Sequence, residues 1–561
     1  MWIGRRPLVA ALVVFALAVP AFLLLRAHSE PQYAISAPEA VTIARVDPLV
    51  QRQIAGVGYT STRVTAFDDE QQRVAFFQGP RVVLVALVGR DRAVTQIAPG
   101  AATVGNRAAN RPALLVCLAL VFMLAMATVP LLSLRNLDVL AFAGLTAPIW
   151  LTGRGYVDAS MLVAYPLLAY LVVRFLWIAG RGSEQQGSIS LYWRLTASWS
   201  SVERRRLLRI VAVALAASTA ILTVTSNGVS DVALASLAGA TDLIHGTVPY
   251  GHIPSFLVHG DTYLPLNYVA YVPAAIVSPV TDVFSDPQGA LILTAVAVLL
   301  TAAAIHRLIA RTADPESRQD GGRLEAYEPA EVAGLRGAIA FLAFPPVLLA
   351  ASSGSNDILL ALCLVAVLGT VASARRSAML LGVAAWAKLT PVVALPVWIA
   401  RMDRRDALRA IAGLAGLSAV IAGGLVVLGG PGSLSTMANA VTFQFERRSL
   451  FSLLDGPGLG PLQAVAEAVL AASVVGMTLA VGRNQLLKDD PVRLAAMLAG
   501  LMLLSQLAAN YWTWAYLPWV IAPAVLVLAP ASGPRRIPEP AAVHSGAADS
   551  LPTRSELPIS A

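Results

Sequence analysis

The sequence predicts an all-α protein that crosses a lipid bilayer many times, with about 12 to 14 membrane helices and one small α+β module near the N-terminus. Three observations predict it. Of 561 residues, 57% are hydrophobic and only 13% are charged, against ~25% charged in an average soluble domain, and mean hydropathy is +0.68. The apolar residues are gathered into blocks near the ~20 residues that a helix needs to cross the hydrocarbon core. Arginine clusters separate many of those blocks, as in loops on the cytoplasmic side. Within lipid every backbone amide must pair inside the chain, so apolar blocks of this length are read as helices.

Taken in order, residues 1–26 read as an uncleaved membrane anchor. Arg5 and Arg6 hold the N-terminus inside, Leu8 to Leu25 cross, and no clear small-x-small cleavage site follows. Residues 27–111 are polar and read as the α+β module, placed outside the membrane. Within them the runs 73–78 and 81–88 have strand composition and are bounded by Gly79-Pro80 and Gly89-Arg90-Asp91. Residues 112–204 add helices at 113–132, 138–152 and 158–178; the stretch from Arg181 to Arg209, which holds Arg204-Arg205-Arg206, is read as cytoplasmic. Residues 205–530 form the core, with spans read at 208–225, 288–306, 336–352, 358–373, 409–428, 461–482, 492–508 and 515–530.

Two core stretches do not fit a simple count. Pro265, Pro273 and Pro279 interrupt 264–281, and a full span there would put the charged stretch from Arg307 to Arg336 outside, so a re-entrant or interfacial helix is expected. The stretch 377–400 lies between basic loops and carries Lys388-Leu389-Thr390-Pro391 at its middle, so a pair of short helices that turns back is expected. The tail 531–561 is rich in Pro, Ser and Ala and is expected to be disordered and cytoplasmic.

The net charge of +8 is accounted for by topology, which argues against a nucleic-acid partner. Cys117 and Cys363 each lie in an apolar block, which excludes a disulfide framework or a zinc site. No Gly-rich phosphate loop or Walker-type run is present, which argues against a nucleotide-sugar or ATP-driven enzyme. His245, His252 and His259 recur every seven residues, but Pro249, Gly251 and Pro254 break any helix that would align them, so no metal site is expected. A divalent cation as cofactor stays open.

With this topology the unusual polar residues collect on the outer side. Asp231, Asp242, His245, Tyr250, His252, His259, Asp261 and Tyr263 share one loop, Asn356-Asp357 joins two helices, and Arg447-Arg448 lies in the loop 429–460. Here the chain resembles a family. Asp231, then His245-Gly246-Thr247-Val248-Pro249-Tyr250 and Tyr263-Leu264-Pro265, resemble the first outer loop of C-type membrane glycosyltransferases (the GT-C fold) that use polyprenyl-phosphate sugars, and are most similar to the polyprenol-phosphate-mannose branch. Gly354-Ser355-Asn356-Asp357, Lys388-Leu389-Thr390-Pro391, Arg448-Ser449-Leu450 and the aromatic stretch from Tyr511 to Trp519 agree in order and spacing, over about 205–530. The pattern departs where the family often has an aromatic residue soon after the loop aspartate; here stand Val232 and Ala233.

The resemblance implies transfer of a sugar, mannose by that branch, from a polyprenyl phosphate to an acceptor hydroxyl at the extracytoplasmic face of the cell membrane. The acceptor needs a base, which one carboxylate can supply, and the resemblance gives that role to Asp231. Displacement with one base inverts the sugar carbon. The leaving phosphate gains charge that fixed cations stabilise; Arg447 and Arg448 come first, since a guanidinium grips phosphate oxygens in pairs, and Lys388 second. Tyr250, His245, Tyr263, Asp242 and Asp357 are the further substrate-contact candidates. Trp512, Trp514 and Tyr516 line a sugar or isoprenoid groove or sit in an interfacial aromatic belt; the bland readings elsewhere are interfacial snorkelling for Arg447, Arg448 and Arg174 and a solvated loop for the acids. Two other classes fit the same helices: a transporter or lipid flippase, and a sensor or scaffold that works through its outer module.

Overall fold

The computed structural model describes residues 35–56, 58–66, 71–99, 111–182, 189–226, 228–253, 257, 260–280, 286–312, 328–446, 460–509 and 513–529. The expected anchor, the tail, His259, Trp512, Arg447 and Arg448 lie outside the described residues.

The polar N-terminal region folds into a four-stranded antiparallel meander in the order β1 (Ser61–Ala66), β2 (Gln71–Gln78), β3 (Arg81–Gly89), β4 (Val94–Pro99). β2 and β3 cover the two runs read as strands. The helices Ala37–Val46 and Pro48–Ile54 pack on one face, burying Ala40, Ala44, Val50 and Ile54 against Val74, Phe76, Leu84, Ala86 and Val88. The other face, with Ala75, Phe77 and Val82, meets Val157 of the helical part. Asp158 receives both guanidinium nitrogens of Arg63, at 3.0 and 2.8 Å. Val82 N–H donates to the Gly155 carbonyl at 3.0 Å.

Among the described residues, the chain after residue 111 is a helical bundle apart from a short strand pair, Thr128–Val129 with Ile189–Ser190. Among the described residues, Val157–Arg181, Ser201–Val224, Gln288–Thr312, Arg404–Gly429, Val465–Arg483 and Pro491–Ala508 are long and apolar enough to cross a membrane. The pair Ala330–Ala343 and Pro345–Ser352 passes the same test only when taken together, and is bent by 58°. The bend falls where Pro345-Pro346 starts a new helix, since proline lacks an N–H and restrains the residue before it. The same chemistry splits the helix expected at 138–152 into Leu134–Gly144 and Thr146–Gly153, because the ring of Pro148 would crowd the Gly144 carbonyl.

Further apolar stretches are shorter: Pro112–Met126, Pro265–Val277, Asp357–Gly369, Thr390–Ala400 and Trp514–Leu528. Pro265–Val277 has 13 residues, about 20 Å at 1.5 Å per residue, short of the ~30 Å hydrocarbon core. The stretch expected to turn back does break at Lys388, whose backbone is extended (φ −150°, ψ 131°), between the helix Ala374–Ala387 and a 3₁₀ turn, Thr390–Ala394.

The contacts define two ends. At the basic end Arg205 and Arg209 reach Glu331 of the neighbouring helix, and Arg401 donates to the carbonyls of Lys488 and Val371. At the opposite end the sheet docks on residues 155–158, the turn 353–357 meets the helix Asp231–Ile244, and Gly429 lies against Val248. Between them a core built around Phe122, Phe142, Phe175 and Phe344, with ring centroids 5.5–6.4 Å apart, fuses the early helices to the later bundle. Arg174 corrects an expectation. It does not snorkel to the interface; it is buried on Asp138 (Nε to both carboxylate oxygens, 3.1 Å), which also accepts from the Tyr170 hydroxyl at 2.6 Å. A guanidinium inside an apolar bundle is tolerable only with such a partner.

Candidate active site

The site grows from the turn between Pro345–Ser352 and Asp357–Gly369. Gly354 has φ +71°, a conformation that side chains disfavour. A β-carbon there would also stand 2.9 Å from that of Ala233. The close approach lets the helix Asp231–Ile244 dock on the turn: the N–H and hydroxyl of its N-cap Ser230 both donate to the Ser353 carbonyl, at 2.9 and 3.0 Å. Tyr271 donates to the Gly354 carbonyl at 2.9 Å. A chain of amides and hydroxyls completes the joint, Asn356 Nδ2 to Asn267 at 2.8 Å and Asn267 Nδ2 to Ser236 at 2.9 Å. Asp231 is thereby fixed beside the 353–357 turn and stays exposed, with Oδ1 accepting from Val232 N–H at 2.9 Å.

Asp357, buried to 1% exposure, takes the Ser355 hydroxyl on Oδ2 at 2.5 Å and Lys388 on Oδ1. The Lys388 ammonium sits 4.2 Å from the centre of the Tyr516 ring and 4.9 Å from that of Trp519. A carboxylate and two aromatic faces thus stabilise the charge at the helix break. The aromatic stretch departs from the belt expectation: Trp514, Tyr516 and Trp519 are buried in the bundle, with Trp514 Nε1 on the Thr152 hydroxyl at 3.0 Å.

Three tyrosines organise the described part of the loop 245–264. Tyr250 is buried and its hydroxyl donates to the Tyr263 carbonyl at 2.9 Å; Tyr268 donates to the Gly260 carbonyl at 3.0 Å and meets the Tyr250 and Tyr263 rings edge-on. Burial pushes the Tyr250 hydroxyl to a higher pKa, which keeps it a neutral donor. Tyr250 therefore builds the loop, and its hydroxyl is engaged within it. Tyr263 is half-buried, and His245 is exposed at the C-cap with Nδ1 2.8 Å from the Thr241 carbonyl. Asp242 is half-buried, with Oδ2 enclosed; burial raises its pKa against the opposing fields of His252 and His245. Among the described residues no group of three or more His, Cys, Asp or Glu side chains converges to hold a metal ion.

Asp231, Asp357 and Lys388 are thus gathered at one end of the bundle, with Asp242 and His245 one helix-length further along. Among the ordered partners of the turn, Asn267 and Tyr271 were not picked out in the sequence. Asn267, two residues after Pro265, is the signal available there, as an amide within an apolar run.

Comparison with known proteins places a family on this core. Residues 262–509 match the family description Glycosyltransferase family 87. The match covers fewer than half of the 561 residues, and it includes Tyr263, Asp357, Lys388, Arg447 and Arg448 while Asp231, Asp242, His245 and Tyr250 precede it. No curated protein matches, nor does any solved structure. The fold is that of an all-α, multi-pass membrane protein. The match supports a glycosyltransferase of the membrane class, which implies a sugar donor, an acceptor and the bilayer as partners.

Proposed function

We propose that this protein transfers a sugar, mannose by resemblance, from a polyprenyl phosphate to an acceptor hydroxyl on a glycan or glycolipid. The reaction runs at the end of the bundle that carries Asp231, facing away from the cytoplasm. The observation that supports the reading is the docking of Ser230 on Ser353, because it sets the exposed Asp231 carboxylate at the turn that leads into Asp357, within reach of a core similar to a glycosyltransferase family.

Asp231 acts as the base: it takes the proton of the acceptor hydroxyl as that oxygen attacks the anomeric carbon and the lipid phosphate departs with the bonding electrons, so the configuration inverts. Its exposure suits a group that must meet an incoming acceptor. Asp357 and Lys388 form the floor. The lysine charge is already shared with Asp357, so Arg447 and Arg448 remain the cations assigned to the phosphate. His245, Asp242 and Tyr263 are assigned to contacts with the acceptor.

The test is reconstitution of the purified protein in nanodiscs with radiolabelled polyprenyl-phosphate mannose and a mixture of membrane glycolipid acceptors. Label leaving the lipid phosphate for an acceptor, with none moved from a nucleotide sugar, supports the reading. Transbilayer movement of the lipid without cleavage would replace it with the flippase alternative.

A further inference from the structure

A second lipid-facing feature lies at the opposite end of the molecule. The helix Ser201–Val224 begins with a capping box between Ser200 and Glu203 and is only lightly covered by the rest of the bundle, 17% of its span being buried. Val202, Arg205, Arg206, Arg209 and Ile210 line a groove of about 390 Å³ on it. Glu331, on the neighbouring helix, takes Arg205 at 3.5 Å and Arg209 more closely, which holds two guanidiniums in place. Arg206 is exposed. Three cations against one carboxylate leave the groove with an excess positive charge. Below it an apolar stripe runs along the same helix, with Ile210, Val213 and Ile221 58%, 68% and 60% exposed, at spacings of three and eight residues, which keep them on one face.

We propose that this groove binds an anionic phospholipid of the leaflet at the basic end. The headgroup phosphate lies against Arg206 and Arg209, and an acyl chain follows Ile210, Val213 and Ile221. A guanidinium pair suits phosphate oxygens, and a basic groove that continues into an apolar stripe matches a lipid better than a free anion, since only a lipid uses both parts. The site is remote from Asp231 and stands whether or not the sugar-transfer reading holds.

Native mass spectrometry of the full-length protein with phosphatidylglycerol and phosphatidylcholine tests it. Wild type is expected to retain phosphatidylglycerol in preference to phosphatidylcholine, and Arg206→Gln/Arg209→Gln to lose about tenfold of that retention, while Arg404→Gln/Arg405→Gln, a basic pair on a different helix, keeps it. Ile210→Ser/Val213→Ser is expected to weaken retention as well, and excess inorganic phosphate is expected to compete poorly. Equal retention of the two lipids, an equal loss in the Arg404/Arg405 control, or full displacement by inorganic phosphate would overturn the proposal.

Discussion

Lys388 and Asp357, 31 residues apart, form an ion pair at the break of an apolar helix, roofed by the faces of Tyr516 and Trp519. Asp357 is almost fully buried, so either charge left alone would be costly. Removing one partner of such a pair typically costs about 3–5 kcal/mol, whereas replacing both with neutral groups is far milder. Asp357→Asn and Lys388→Met are each expected to lower the melting temperature more than the double variant does. Thermal unfolding in detergent across the double-mutant cycle measures the coupling; additive losses would show that the pair does not stabilise itself.

The second buried pair predicts a similar penalty where no chemistry is proposed. Asp138→Ala leaves Arg174 buried without its carboxylate and should cost about 3–5 kcal/mol. Tyr170→Phe removes one hydrogen bond to a charged group, about 1.5–3 kcal/mol. Unfolding followed by tryptophan fluorescence should give this order, Asp138→Ala the more damaging.

Gly239 leaves room for a ring. A β-carbon there would lie 2.3 Å from Tyr268 Cδ1, and Tyr268 holds the Gly260 carbonyl and the Tyr263 N–H. Gly239→Ala should therefore displace Tyr268, loosen the loop 250–263 and cost about 1–3 kcal/mol, the usual range for overpacking. Limited proteolysis is expected to cut that loop faster in the variant than in wild type.

Asp242 makes the fold sensitive to pH. Burial raises its pKa above the ordinary 3.8, against the fields of His252 and His245. A carboxyl raised in the folded state contributes stability that is fully present below 3.8 and is lost as pH rises through the raised value. Asp242→Asn does not titrate, so the melting temperature of the variant relative to wild type should climb as pH rises from about 3 through that window. A flat difference would show that Asp242 is as well solvated in the folded protein as in the unfolded chain.

What the sequence revealed follows from which physical signals are local. The membrane class was legible because apolar length and arginine placement are both written along the chain. So was the break at Lys388, since a lysine and Pro391 in an apolar run announce a helix end. The strands β2 and β3 were legible from composition. The helix bends at Leu145 and Phe344 were not, although Pro148 and Pro345 stand in the sequence, because each apolar block has the length of one unbroken helix. The placement of Arg174 on Asp138 and of Asn356 on Asn267 could not be read, since partners 36 and 89 residues apart leave no periodic trace. The same reason hid the docking of Ser230 on Ser353, which gives Asp231 its neighbours.

The central claim is that the Asp231 carboxylate accepts the acceptor's proton. Asp231 is exposed, so Asp231→Asn should change stability by no more than ~0.5 kcal/mol. The decisive measurement is single-turnover transfer from labelled polyprenyl-phosphate mannose by purified wild type and Asp231→Asn at matched donor occupancy. The account predicts a fall of about 10²-fold or more in the variant, with melting temperature and donor binding unchanged. Transfer by Asp231→Asn at the wild-type rate would contradict it.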